Sequence, residues 1–120
     1  MSISSKMLGD IGEDLAVNFL TKKGYEIISR NFRCPLGEID IVARDRGAMA
    51  FIEVKCRSSA IFGLPQEAVD FKKRRKLAKL ALFFIACHNI SSSGMRFDVV
   101  SIMINKFNNT ASIELERNAF

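Results

Sequence analysis

At 120 residues, 48% hydrophobic and 26% charged, the chain can bury a core without disulfide or metal staples and is sized for a single domain, residues 1–120. It has no Pro/Gly/Ser-rich linker or internal repeat, and Cys34, Cys56 and Cys87 form no CxxC pair, which excludes a disulfide framework and a zinc knuckle. The formal charge is +5, with much of the excess in Lys72-Lys73-Arg74-Arg75-Lys76 and Lys79; nucleic acid, an anionic membrane surface and an acidic protein are the candidate partners, against the plainer reading of a solvated helix face.

From Ser5 to Lys23 the apolar residues Leu8, Ile11, Leu15 and Phe19 recur at helical spacing, and Gly24 supplies a C-cap. On that helical wheel Glu13 falls at the margin of the apolar stripe, beside Gly9, Val17 and Leu20, so its carboxylate borders the packed face. Tyr25 to Phe32 has the β-branched and aromatic content of a strand and ends at the turn Cys34-Pro35-Leu36-Gly37. Two more strands are predicted over Glu38–Asp45 and Met49–Arg57, followed by a loop, Ser58 to Leu64. Pro65 opens a helix that runs to about His88, basic in its first half and carrying Leu77, Leu80, Ala81, Phe84 and Ile85 on one side of its second. Ser91-Ser92-Ser93-Gly94 breaks it, and strands over Arg96–Ile104 and Ser112–Glu116, joined at Asn108-Asn109, close the chain. The order α-β-β-β-α-β-β describes an α/β protein, a mixed sheet flanked by helices. Met1 to Gly9 lacks the apolar core of a signal peptide, and Leu80–Cys87 is too short to span a bilayer, so a cytoplasmic protein without membrane association is expected.

The chemistry concentrates on the two central strands. Arg46-Gly47 suits a two-residue hairpin turn flanked by Asp45 and Ala48. If Asp45 faces Ala48, counting back along both strands sets Asp40 opposite Glu53, and alternation puts Lys55 on the same face. Asp40 stands in Ile39-Asp40-Ile41-Val42 and Glu53 in Phe51-Ile52-Glu53-Val54-Lys55, mid-strand among strong β-formers where acids are depleted. Two facing carboxylates repel, and partial burial adds a desolvation cost. A divalent cation relieves both, and hard oxygen ligands around an open, hydrated position suit Mg²⁺ or Mn²⁺. Such an ion would activate water against a phosphodiester, Lys55 would place positive charge at the transition state, and Glu13 could add a ligand or hold an ion-bound water. The competing explanation is a Glu/Lys pair that is only surface charge.

The segments Gly9-Asp10-Ile11-Gly12-Glu13-Asp14-Leu15-Ala16, Gly24-Tyr25, Arg30-Asn31-Phe32-Arg33, Gly37-Glu38-Ile39-Asp40-Ile41-Val42-Ala43, Phe51-Ile52-Glu53-Val54-Lys55-Cys56-Arg57 and Arg96-Phe97-Asp98-Val99-Val100 resemble, in order, the bacterial UPF0102 (YraN-like) family. That family is similar to the PD-(D/E)xK nucleases, and most to the archaeal Holliday junction resolvases. The resemblance implies a restriction-endonuclease-like fold, Asp40 as the D, Glu53 and Lys55 as the E-x-K, Glu13 as the helical acid, and a homodimer. Ile39 stands where the nominal proline would precede Asp40, and Asp70-Phe71 replaces a Thr-Pro-like pair common in relatives.

Around this core Arg30, Arg33 and Arg57 are candidate phosphate contacts, together with Lys72, Lys73, Arg75 and Lys76 on the basic helix. Gln66 could contact a phosphate or an ion-bound water, or be a plain helix-start residue. Glu38 is expected in solvent, His88 at a helix end, and Asp98 in a structural role beside an arginine. The function expected is a Mg²⁺- or Mn²⁺-dependent endonuclease acting on DNA, branched DNA included. The alternative is a nucleic-acid-binding module that keeps the fold without turnover. An adaptor for acidic proteins or anionic lipid, built on Lys72–Lys79, is a third.

Overall fold

A computed structural model of the chain describes residues 5–58, 71–90, 94–105 and 107–119. The elements follow the expected order: α1 (Ser5–Lys22), β1 (Glu26–Cys34), β2 (Gly37–Asp45), β3 (Ala48–Ser58), α2 (Phe71–His88), β4 (Met95–Asn105) and β5 (Thr110–Glu116). The strands form one sheet in the order β1-β2-β3-β4-β5, antiparallel except for the parallel β3–β4 pair. A parallel pair needs a crossover rather than a hairpin, and the connection between β3 and β4 contains α2. The expected loop after Ser58, Pro65, Gln66 and the start of the second helix lie outside the described residues, as do Ser91 to Ser93.

The central strands are covered on both faces, one core per helix. On one side α1 packs Ala16 and Leu20 against Ile41, Ala43, Ala50, Ile52, Val100 and Ile102. On the other, Leu80, Ala81 and Phe84 of α2 meet Ile39, Val42, Met49 and Phe51. This second contact uses the apolar face predicted for α2. His88 stacks on Phe84 and shares a hydrogen bond with the Phe84 carbonyl at 3.0 Å, a helix-end role as expected.

The first helix is turned relative to its hydrophobic stripe. Ile11 is exposed and Leu15 and Phe19 are half-buried, whereas Gly12, Glu13, Ala16 and Leu20 are buried. Small side chains decide this, because they let the helix axis sit close to the sheet. At Gly12 an added Cβ would lie 2.7 Å from Cys56 Cβ and 2.9 Å from its sulfur. The face that meets β3 is therefore the one carrying Glu13, and the carboxylate enters the interior with it.

Gly9 and Gly12 form a matched pair for testing this approach. In an open helical position Gly→Ala gains up to about 1 kcal/mol from helix propensity. Gly9→Ala, with nothing within 4 Å of the new Cβ, should show that gain. Gly12→Ala should instead lose about 1–3 kcal/mol to overpacking, so urea unfolding of the two variants should give opposite signs.

Candidate functional site

The β2–β3 hairpin turns through Arg46 and Gly47, both at positive φ, 54° and 82°. This is the two-residue geometry that matches strand twist. Asp45 pairs with Ala48 as the sequence predicts, and the register runs without a slip through Arg44↔Met49, Ala43↔Ala50 and Val42↔Phe51 to Ile41↔Ile52. Asp40 and Glu53 are the next positions on the two strands. Here the ladder gives way to a side chain, since Asp40 Oδ2 accepts a hydrogen bond from the Val54 amide at 2.8 Å. On the other flank, β1 pairs Arg30 with Ile41 and Phe32 with Ile39, and the intervening Asn31 has φ 55°. Asp40 thus occupies an interruption in the ladders on both sides of β2.

Burial is the main cause that pushes the Asp40 carboxyl up to about 6; the Val54 amide pulls it down, and the charges of Glu53, Glu38 and Glu13 push it further up. Four acids from α1, β2 and β3 therefore share one electrostatic neighbourhood. One oxygen of Glu53, Oε2, is sealed from solvent. Lys55 is buried, and alternation along β3 puts it on the Glu53 face, opposite that of Ile52 and Val54. Among the described residues no group of three or more His, Cys, Asp or Glu side chains is arranged to hold an ion. Asp40 and Glu53 are the two that could hold a hydrated one, since a Mg²⁺-type ion needs only one or two carboxylates and keeps several waters.

Asp40 lines two cavities. One, of about 460 Å³, is bounded by Glu38, Ile39, Asp40, Phe51, Ile52 and Glu53 from the sheet and by Lys72, Lys76, Leu77 and Leu80 from α2. The other, of about 530 Å³, lies on the α1 side and includes Glu13, Asn31, Asp40, Val54, Cys56 and Arg57. Glu13 Oε1 accepts hydrogen bonds there from Arg30 Nε at 2.8 Å and from Asn31 Nδ2 at 3.1 Å.

The family model for "Uncharacterised protein family UPF0102" matches residues 12–102. The chain belongs to the UPF0102 family. It is 51% identical to a UPF0102 protein of Caldicellulosiruptor bescii, over 96% of this chain and 98% of the relative. A UPF0102 protein of Clostridium botulinum is 45% identical, over 100% and 98% of the two chains. One from Moorella thermoacetica is 42% identical, over the whole of both.

In this UPF0102 chain the candidate phosphate contacts divide by position. Lys72 and Lys76 line the cavity of Asp40 and Glu53, and with Arg75, Lys79 and Leu36 they also line a shallower groove of about 300 Å³. Arg57 borders the α1-side cavity and donates to the Cys56 carbonyl at 3.2 Å. Arg33 is exposed and pairs with exposed Glu38 at 3.3 Å. The Lys73 side chain lies outside the described residues. Arg30 is engaged within the fold, bridging Glu13 and Asp14 with its Nε and a terminal nitrogen. The sequence offered no cue for that engagement, because residues 13 and 30 meet only once α1 lies on the sheet. No helix among the described residues is long and apolar enough to cross a membrane.

A second acidic cluster, at the turn end of β2, shows what a structural solution looks like. Asp98 is fully buried, and Arg96 bonds it at 2.9 and 2.8 Å while reaching Asp45 at 2.7 Å. Tyr25 donates to Asp98 at 2.8 Å, and the Asn118 amide bonds the other oxygen at 2.9 Å. Burial acts to raise the Asp45 carboxyl, yet the hydrogen bonds and charges of Arg96 and Arg117 hold it below the usual range. Asp98 is the structural acid beside an arginine that the sequence suggested.

The opposite signs of the two clusters are measurable. For Asp40 the folded-state value of about 6 lies above that of the unfolded chain. Folding therefore binds a proton between those limits, and stability contributed by Asp40 declines as pH rises from about 4 to about 6. In EDTA, Asp40→Asn, which keeps an acceptor for the Val54 amide, should remove this slope and raise stability near pH 7 by on the order of 2 kcal/mol. Denaturant unfolding across that pH range checks it, and an unchanged slope would contradict the assignment.

Proposed function

We propose that this UPF0102 chain is a Mg²⁺- or Mn²⁺-dependent endonuclease acting on DNA, branched DNA included. The observation that carries the reading is the composition of one cavity, which the half-buried carboxylates Asp40 and Glu53 line together with cationic Lys72 and Lys76 of α2. Burial and the charges of Glu53, Glu38 and Glu13 disfavour the ionised Asp40, and a divalent ion bound with a phosphodiester would offset that cost. The α-β-β-β-α-β-β order and the D…E-x-K residues on adjacent strands support the relation to PD-(D/E)xK nucleases.

In this reading Lys72 and Lys76 bind backbone phosphate, a contact that positions the substrate without reading its sequence. Asp40 and Glu53 hold the ion, which when bound supplies an acidified water and neutralises charge at phosphorus. Lys55, on the Glu53 face of β3, stabilises the extra negative charge of the transition state. Glu13 adds negative charge from the α1 side.

The purified protein should nick or cleave a duplex, flap or four-way junction with Mn²⁺ or Mg²⁺ and not in EDTA. Asp40→Asn and Glu53→Gln should abolish cleavage while DNA binding persists, and Lys55→Ala should lower kcat more than ion affinity. If the wild type cleaves none of these DNAs with either ion and calorimetry detects no ion binding, the reading left is a nucleic-acid-binding module of the same fold.

The faces of α2 yield a separate expectation. Lys72 and Lys76 border the acidic cavity, whereas Arg74 borders neither it nor the adjoining basic groove. Lys72→Ala with Lys76→Ala should weaken binding to all sequences alike and reduce the log–log salt slope by about 2, against about 0 for Arg74→Ala. Equal effects would assign the binding to net charge alone.

A further inference from the structure

Glu13 is an unusual residue to bury on a helix face that otherwise carries Gly12, Ala16 and Leu20. Two donors account for its orientation, and both come from the stretch of β1 beside Asp40. Arg30 Nε and Asn31 Nδ2 take the same carboxylate oxygen, Oε1, at 2.8 and 3.1 Å. The second arm of the Arg30 guanidinium takes Asp14 at 2.6 Å, so the fork is fixed by two neighbouring acids of α1. Backbone geometry adds to this. Asn31 has φ 55°, a conformation that asparagine tolerates better than most side chains. The kink interrupts the β1–β2 ladder between Arg30↔Ile41 and Phe32↔Ile39, next to Asp40. Asn31, Glu13 and Asp40 then line one cavity.

We infer that Arg30 and Asn31 are positioning residues that hold the Glu13 carboxylate in the α1-side cavity that Asp40 also lines, where it contributes through ion-bound water to binding a hydrated divalent cation. This rests on the ion-dependent reading of Asp40 and Glu53. Arg30 therefore acts through Glu13 and is not a phosphate contact. Its role is that of an outer partner, a kind whose loss typically lowers affinity for the ion by 10-fold or more. Docking of α1 does not depend on the pair, because Gly12, Ala16 and Leu20 already seat the helix on the sheet.

The test is Mn²⁺ affinity by calorimetry on the full chain, with thermal unfolding in EDTA as the control for folding. Asn31→Gly keeps the left-handed backbone accessible and removes only the amide donor. Arg30→Gln removes the charge and the fork. Each should weaken Mn²⁺ binding on the order of 10-fold, with Arg30→Lys intermediate and DNA affinity in EDTA unchanged. In a Glu13→Gln background neither substitution should have a further effect, since the pathway through Glu13 is already cut. Wild-type Mn²⁺ affinity in both single variants would overturn the positioning role while leaving Asp40 and Glu53 as the ion's ligands. Weakening that persists undiminished in the Glu13→Gln background would overturn it too, as would loss of DNA affinity in EDTA on Arg30→Gln. A wild type that binds no Mn²⁺ would overturn both this inference and the reading beneath it.

Discussion

The carboxylate of Asp40 is lodged in the sheet where a backbone partner would otherwise be, and much of the surrounding architecture follows from keeping it there. Its oxygen takes the Val54 amide, so β2 and β3 stay joined at the point where their regular ladder stops. Its charge is disfavoured by burial and by three neighbouring acids, which is why the carboxyl is pushed up to about 6. Desolvation of this kind is a standing cost to the fold, and it is tolerated because the cores on both faces of the sheet fix the hairpin register. A slip of one residue would turn every core side chain of the strand to the other face.

Two groups of acids, one buried and one half-buried, are handled in opposite ways. Asp45 and Asp98 are tied by Arg96, with Tyr25, Arg117 and the Asn118 amide completing the set, and Asp45 is held below the usual carboxylate range. That cluster fastens the end of the chain against the start of β4, where the Ala119 amide also bonds the Phe97 carbonyl at 2.7 Å. Asp40 moves the other way, and one of its two cavities is lined by lysines of a separate helix. Stability alone would favour the first arrangement at both clusters. The exception lies at the cavity that opens towards the basic helix, where the raised Asp40 carboxyl marks a candidate functional site.

The helices reach Asp40 by different means, α2 at one of its two cavities and α1 at the other. α2 is seated by large side chains, Leu80 and Phe84, whose burial sets the rotation of the helix and turns Lys72 and Lys76 to the acid pair. α1 is seated by small ones, and the close contact of Gly12 with Cys56 brings Glu13 into the interior. Charge is thus delivered to the two cavities that Asp40 lines by two packing rules, anionic from the close-packed helix and cationic from the bulky one.

Element order and the hairpin register from Asp45↔Ala48 to Ile41↔Ile52 were readable from the sequence by itself. Strand alternation, the Arg46-Gly47 turn and the apolar face of α2 are local signals that burial on both sides of a sheet leaves intact. The rotation of α1 was not readable, because hydrophobic periodicity weights Ile11 and Leu15 over Gly12 and Ala16, while the sheet selects for closeness of approach. Arg30 is the sharper case. As a basic residue near a turn it reads as a phosphate contact, and only the docking of α1 across the sheet reveals Glu13 and Asp14 as its partners. Long-range ion pairs depend on which surfaces meet, and tertiary structure alone decides that.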